Sequence, residues 1–260
     1  RYLLGALEGF DAAEKIDISD PKKLPELEAY MLHQLAVLDT DVRHAIAAYD
    51  YGRMAQLLYT FCNGPLSAFY FDIRKDRLYC DRPDLPERRA YRTVMAAIFE
   101  TLVGFLSPIL SFTADEAWQF RPLGVFADDA DCVHLRTFVE LPAAWRNDAL
   151  AQKWSRVLDV RDVVLGALEI ARKDKMIGAA LEAHPVIYMA DAPAGIDWAE
   201  LAITSQVTVS AGAAPDGAFT LPAVSGVAVV VEKAAGQKCE RCWKVLPEVG
   251  SDPDFPTLSK

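Results

Sequence analysis

No apolar run in this sequence approaches the roughly 20 residues that a membrane-spanning helix needs. No secretory leader or initiator methionine stands at its start. A membrane location is therefore not expected. The opening Arg1-Tyr2-Leu3-Leu4-Gly5 reads as the middle of a helix, so the chain is expected to be a piece of something longer. Positive charge is also short: 27 Lys and Arg face 37 Asp and Glu, leaving a net charge of −10. That balance weighs against nucleic-acid binding, where neutralised phosphates supply much of the affinity. It leaves room for a local basic strip, because charges beyond a Debye length of about 8 Å are screened. The five cysteines are odd in number and irregularly spaced. A disulfide framework is not expected, and a reducing, cytoplasmic compartment is. Internal repeats, low-complexity tracts and Ser-His-Asp or Cys-His constellations are absent, so no catalytic residue is predicted.

What is present is helical periodicity. Leu24, Leu27, Met31, Leu35, Leu38, Val42 and Ile46 recur in steps of three and four, one apolar face of a helix. A second stripe runs through Tyr51, Met54, Leu58, Phe61, Leu66, Phe69 and Ile73, and Pro65 is expected to kink it or mark its start. A third helix is expected over Arg88 to Leu106, stopped by Pro108. Thr113 and Glu116 have the spacing of a capping box that opens a fourth. Short connections favour antiparallel neighbours and hence a bundle. Residues 121–147, with Pro122, Gly124, Pro142 and three aspartates, read as a boundary. A long helix then spans Asp148 to Met176 and is expected to end at Gly178. Beyond it the period changes. Pro185 to Met189, Val207 to Ser210 and Val227 to Val231 read as strands, with a short helix near Asp197 to Ile203. The expected division is a mainly α bundle (1–145), a helix with a small α/β junction (146–232) and a C-terminal Cys-x-x-Cys knuckle (233–260).

Three stretches are similar to the class I synthetases that attach branched aliphatic amino acids to tRNA. They are Tyr49-Asp50-Tyr51 leading into Phe69 to Tyr79, then Leu106 to Trp118, then Lys175 to Ala183. Within that group, Lys238-Cys239-Glu240-Arg241-Cys242-Trp243 resembles the small zinc module of the bacterial isoleucine enzymes. The resemblance implies an anticodon-binding helical bundle, a junction subdomain and a knuckle. It also implies isoleucine tRNA as partner, monomeric action, and catalytic and editing domains in the preceding part of a larger enzyme. The signature motifs of the catalytic domain do not occur here, so ATP and Mg are implied only for that absent domain. A valine or leucine enzyme, or a helical protein-interaction domain with no RNA role, are the competing readings.

The candidate site residues follow. Splayed anticodon bases are read by stacking on aromatic or guanidinium planes and by edge hydrogen bonds. Arg241 and Trp243, beside Lys244, offer both, against the alternative of a Trp that closes a small core. Arg74, Lys75 and Arg77 form a basic run at the end of the second bundle helix. That run suits tRNA phosphates, or simply the helix dipole and pairing with Asp72 and Asp76. Family similarity carries Lys75 and Arg77 toward tRNA. Arg88, Arg89 and Arg92 are expected on a solvated face. Cys239 and Cys242 supply two of the four ligands of a tetrahedral zinc. Family members supply a second Cys pair fewer than twenty residues on, and here Ser259 stands in about that place. Either the second pair lies further along, or the metal has been lost.

Overall fold

The computed structural model describes residues 1–259, which cluster into two compact units divided between residues 151 and 152. In the first, a short helix α1 (Tyr2–Ala6) precedes α2 (Glu26–Ala47). The α2 stripe is inside as expected: Leu27, Met31, Leu35, Leu38 and Val42 are all buried. Asp50 caps α3 (Tyr51–Phe61) by accepting the Arg53 N–H at 2.9 Å.

Pro65 does not start a helix but lies within a continuous helical run. The chain passes from α3 into a π-helical segment, Cys62–Phe71, and on into α4 (Asp72–Cys80). Proline has no N–H to return and its ring crowds the carbonyl four residues back. A locally widened helix accommodates both, and it carries Leu66, Phe69 and Tyr70 into the core. Tyr51, assigned to the apolar stripe, is instead exposed.

Helix α5 (Pro86–Leu106) opens with proline at its first position, where the missing N–H costs nothing. Helix α6 (Ser111–Gln119) begins two residues before the expected capping box. Its first carbonyl belongs to Leu110, which accepts from Ala114 at 2.8 Å, so Thr113 lies inside the helix and caps nothing. Residues 121–147 pack back on the bundle. Arg121 bonds Asp129 at 2.8 Å and lies over the Trp118 ring, itself fully buried.

Asn147 caps α7 (Asp148–Lys173) through its side-chain oxygen to the Leu150 N–H. The helix ends at Lys173, ahead of Gly178. Lys175 takes the left-handed conformation (φ 59°), and Met176 N–H returns to Ala171 O at 2.9 Å, closing the last turn without glycine.

In the second unit the sheet has the order β2-β1-β3, with β1 (Ala183–Tyr188) parallel to β2 (Thr208–Ser210) and antiparallel to β3 (Ala228–Lys233). Helix α8 (Trp198–Ala202) lies in the β1–β2 crossover. Alternate residues of β1 are buried, as expected for a sheet with one covered face. A two-stranded hairpin, β4 (Gln237–Lys238) and β5 (Val245–Leu246), follows. No helix among the described residues is long and apolar enough to cross a membrane.

Candidate nucleic-acid interface

The hairpin β4–β5 presents the Cys-x-x-Cys segment at its tip. Gly236 makes this possible: its φ is 120°, and a Cβ there would lie 2.2 Å from the Leu246 carbonyl carbon. The hairpin is tied to the junction through Ser205, which is buried. Its hydroxyl accepts the Val245 N–H at 2.6 Å and donates to Leu181 O at 2.5 Å.

Within the tip, Cys239 N–H donates to Lys244 O at 2.8 Å, and Trp243 N–H to Cys239 O at 2.9 Å. This closes a tight loop and forces Trp243 into the left-handed region at φ 63°. A bulky residue pays a steric cost there. The result is a Trp ring that is 62% exposed, with Lys238 Nζ 5.2 Å from its centroid. The core-closing alternative for Trp243 is thereby ruled out. Arg241 is exposed on the same loop and Lys244 is half-buried. A flat aromatic surface flanked by cations is what an unstacked base and its phosphate require.

The thiols turn inward. Cys239 is buried, and burial by itself raises its pKa. Hydrogen bonds from the Cys242 backbone, from the Ser259 hydroxyl and N–H, and from the Arg241 backbone outweigh that and bring it to about 6. Ser259 approaches both cysteines: its N–H and Oγ each lie 3.4 Å from Cys239 Sγ, and its Oγ is 3.8 Å from Cys242 Sγ. Two sulfurs and one hydroxyl do not make a closed zinc site, which takes four ligands, commonly thiolates and imidazoles. Among the described residues, no group of three or more His, Cys, Asp or Glu is arranged to hold a metal.

In the first unit the basic run divides. Arg74 is buried and makes a two-pronged pair with Glu28, Nε to Oε1 at 2.8 Å and Nη2 to Oε2 at 2.7 Å. Its expected role at tRNA is corrected accordingly: it belongs to the bundle interior. Lys75 and Arg77 face outward, bridged within α4 and its end to Asp72 (2.8 Å) and Asp81 (3.3 Å). Partly exposed pairs of this kind contribute about 0–1 kcal/mol, weak enough to exchange for a phosphate.

Arg88 and Arg89 are half-buried and not on a freely solvated face. Arg92 is buried and donates to Ala6 O, Glu8 O and the Glu14 carboxylate. Arg88 also reaches Glu14, and Arg89 donates to Ala13 O and Glu14 O. The cluster pins residues 1–16 to α5. Tyr49, at φ 56°, and Tyr51 are both exposed beside the α2–α3 turn.

The family model described as the anticodon-binding domain of tRNA ligase matches residues 28–187. A second, the zinc finger found in FPG and IleRS, matches residues 236–260. The chain is 48% identical to the isoleucine–tRNA ligase of Caulobacter vibrioides over 264 residues, covering 100% of this chain and 26% of that protein. Identity is 48% to that of Brucella abortus and 46% to that of Agrobacterium fabrum, with the same coverage. The chain thus spans 26% of the length of these curated relatives.

Proposed function

Because this chain belongs to the family of anticodon-binding domains of tRNA ligases, we propose that it reads the anticodon loop of isoleucine tRNA as part of a larger isoleucine–tRNA ligase. The observation that carries this reading is the exposed Trp243 ring, held in the left-handed region at the knuckle tip with Lys238 against it and Arg241 beside it. A hydrophobic ring displayed at backbone cost is a feature of a recognition surface.

In this reading phosphate contacts position the loop and side chains at the knuckle specify it. Lys75 and Arg77 exchange Asp72 and Asp81 for phosphate oxygens. Trp243 stacks on a base, an interaction worth about 1–3 kcal/mol. Arg241 donates to a base edge, and Lys244 neutralises a neighbouring phosphate. Arg74 has no part in it.

The chain itself makes no bonds. ATP-dependent ligation of isoleucine belongs to the catalytic domain of the larger enzyme, and the chain's part is to orient tRNA toward that domain as a monomer in the cytoplasm. The preference for isoleucine over valine or leucine tRNA rests on the Cys239-Glu240-Arg241-Cys242-Trp243 sequence and on the names of the relatives. Zinc has no role in this reading, because Cys239 and Cys242 with Ser259 do not complete a tetrahedral site.

Nuclease footprinting of isoleucine tRNA by the chain tests the reading. Protection confined to the anticodon arm is expected. Protection spread evenly along the tRNA, or none, contradicts it.

A further inference from the structure

We infer that Ser259 takes over the shape-keeping work of a metal in the knuckle, locking the Cys-x-x-Cys loop by hydrogen bonds in a metal-independent form. The inference stands apart from the tRNA reading, because it concerns how the loop keeps its shape and not what the loop binds.

The geometry supports it from both sides of the gap. The segment carrying Ser259 returns to the knuckle and lies against the thiols. Thr257 O accepts the Glu240 N–H at 3.1 Å, and two residues on, Ser259 N–H and Oγ each stand 3.4 Å from Cys239 Sγ. The same Oγ is 3.8 Å from Cys242 Sγ. The hydroxyl is thus within reach of both sulfurs. A serine hydroxyl is a poor zinc ligand beside a thiolate, because it holds its proton at neutral pH. It is a good bridge between sulfurs, because it donates through one O–H and also has lone pairs to accept. The remaining loop bonds, Cys239 N–H to Lys244 O and Trp243 N–H to Cys239 O, are backbone bonds that need no metal. The Gly236 turn and the Ser205 tie hold the hairpin from behind. These bonds are all made between the chain's own groups.

The experiment measures zinc content and knuckle amide exchange in the chain as purified, after chelator treatment, and in Ser259→Ala and Ser259→Cys variants. The unmodified chain is expected to hold far less than one zinc per molecule, with exchange at Glu240 and Trp243 unchanged by chelator. Ser259→Ala is expected to speed that exchange by up to about tenfold, the equivalent of one hydrogen bond. Ser259→Cys is expected to raise zinc affinity, since it presents a third thiolate. Stoichiometric zinc in the unmodified chain, with exchange accelerated by its removal, overturns the inference. So does a Ser259→Ala variant whose knuckle exchanges at the original rate.

Discussion

Arg74 and Glu28, 46 positions apart in sequence, meet inside the bundle through two parallel charge-assisted hydrogen bonds of 2.8 and 2.7 Å. Tyr70 approaches the same carboxylate at 3.4 Å, and burial beside that negative charge holds its phenol well above the usual tyrosine range. The pair locks α4 to α2. A buried charge left alone is costly. Arg74→Met is therefore expected to destabilise the chain by about 3–5 kcal/mol. A Glu28→Gln change in the same background should restore part of the loss by removing the stranded carboxylate. Urea denaturation of the two variants checks this. A destabilisation below about 1 kcal/mol would instead return Arg74 to the surface role that the basic run suggests.

Acid sensitivity should originate at His33. Its ring is buried and its Nδ1 accepts the Asn147 N–H at 2.9 Å, so the folded state needs the neutral form. Burial lowers its pKa; Asp148 opposes this and Arg146 assists it. A histidine with a depressed folded pKa contributes fully above its unfolded value of about 6.5. That contribution is lost as pH falls through the folded value. Stability of the first unit should drop on going from neutral to mildly acidic pH, and His33→Gln should flatten that slope. Thermal melts across the range provide the check.

The Arg92 network predicts a local effect. Arg92→Ala removes the donors to Ala6, Glu8 and Glu14. Residues 1–16 should become cleavable in limited proteolysis while the α2–α5 bundle survives. Equal loss of both would show that the N-terminal segment is integral to the core.

Gly236→Ala should disrupt the knuckle. The new methyl would meet backbone atoms of Leu246 and Pro247 at a φ that L residues rarely adopt. A cost above about 1 kcal/mol is expected, confined to the second unit, with Trp243 fluorescence shifting. An unperturbed spectrum would mean that the hairpin does not depend on this close approach.

Most of the bundle was legible because apolar side chains at helical steps have few ways to be buried, and the β1, β2 and β3 segments announced themselves by their Val and Ile content. What escaped was long-range or geometric. Glu28 is one acidic residue among many until the fold sets it against Arg74. Arg88, Arg89 and Arg92 read as solvated because Glu14 lies more than 70 positions away. Leu66 and Phe69 continue the apolar stripe through the π-helical segment, but nothing in that spacing marks the widened turn, and Pro65 ordinarily breaks a helix. Thr113 and Glu116 have the right spacing for a cap, yet the Leu110 carbonyl starts the turn earlier. At the knuckle, sequence supplied the residue types and the likeness to a zinc module. The left-handed Trp243 and the placement of Lys238 over it depend on loop closure, which spacing does not encode.

The central claim is tested most directly by the affinity of the chain for isoleucine tRNA against the same tRNA with its anticodon replaced, at one stated salt concentration, with and without Trp243→Ala. The unmodified chain is predicted to favour the natural anticodon. Trp243→Ala should lose about 1–3 kcal/mol of binding to it and most of the preference. Equal binding to both tRNAs, or a preference untouched by Trp243→Ala, would contradict the account.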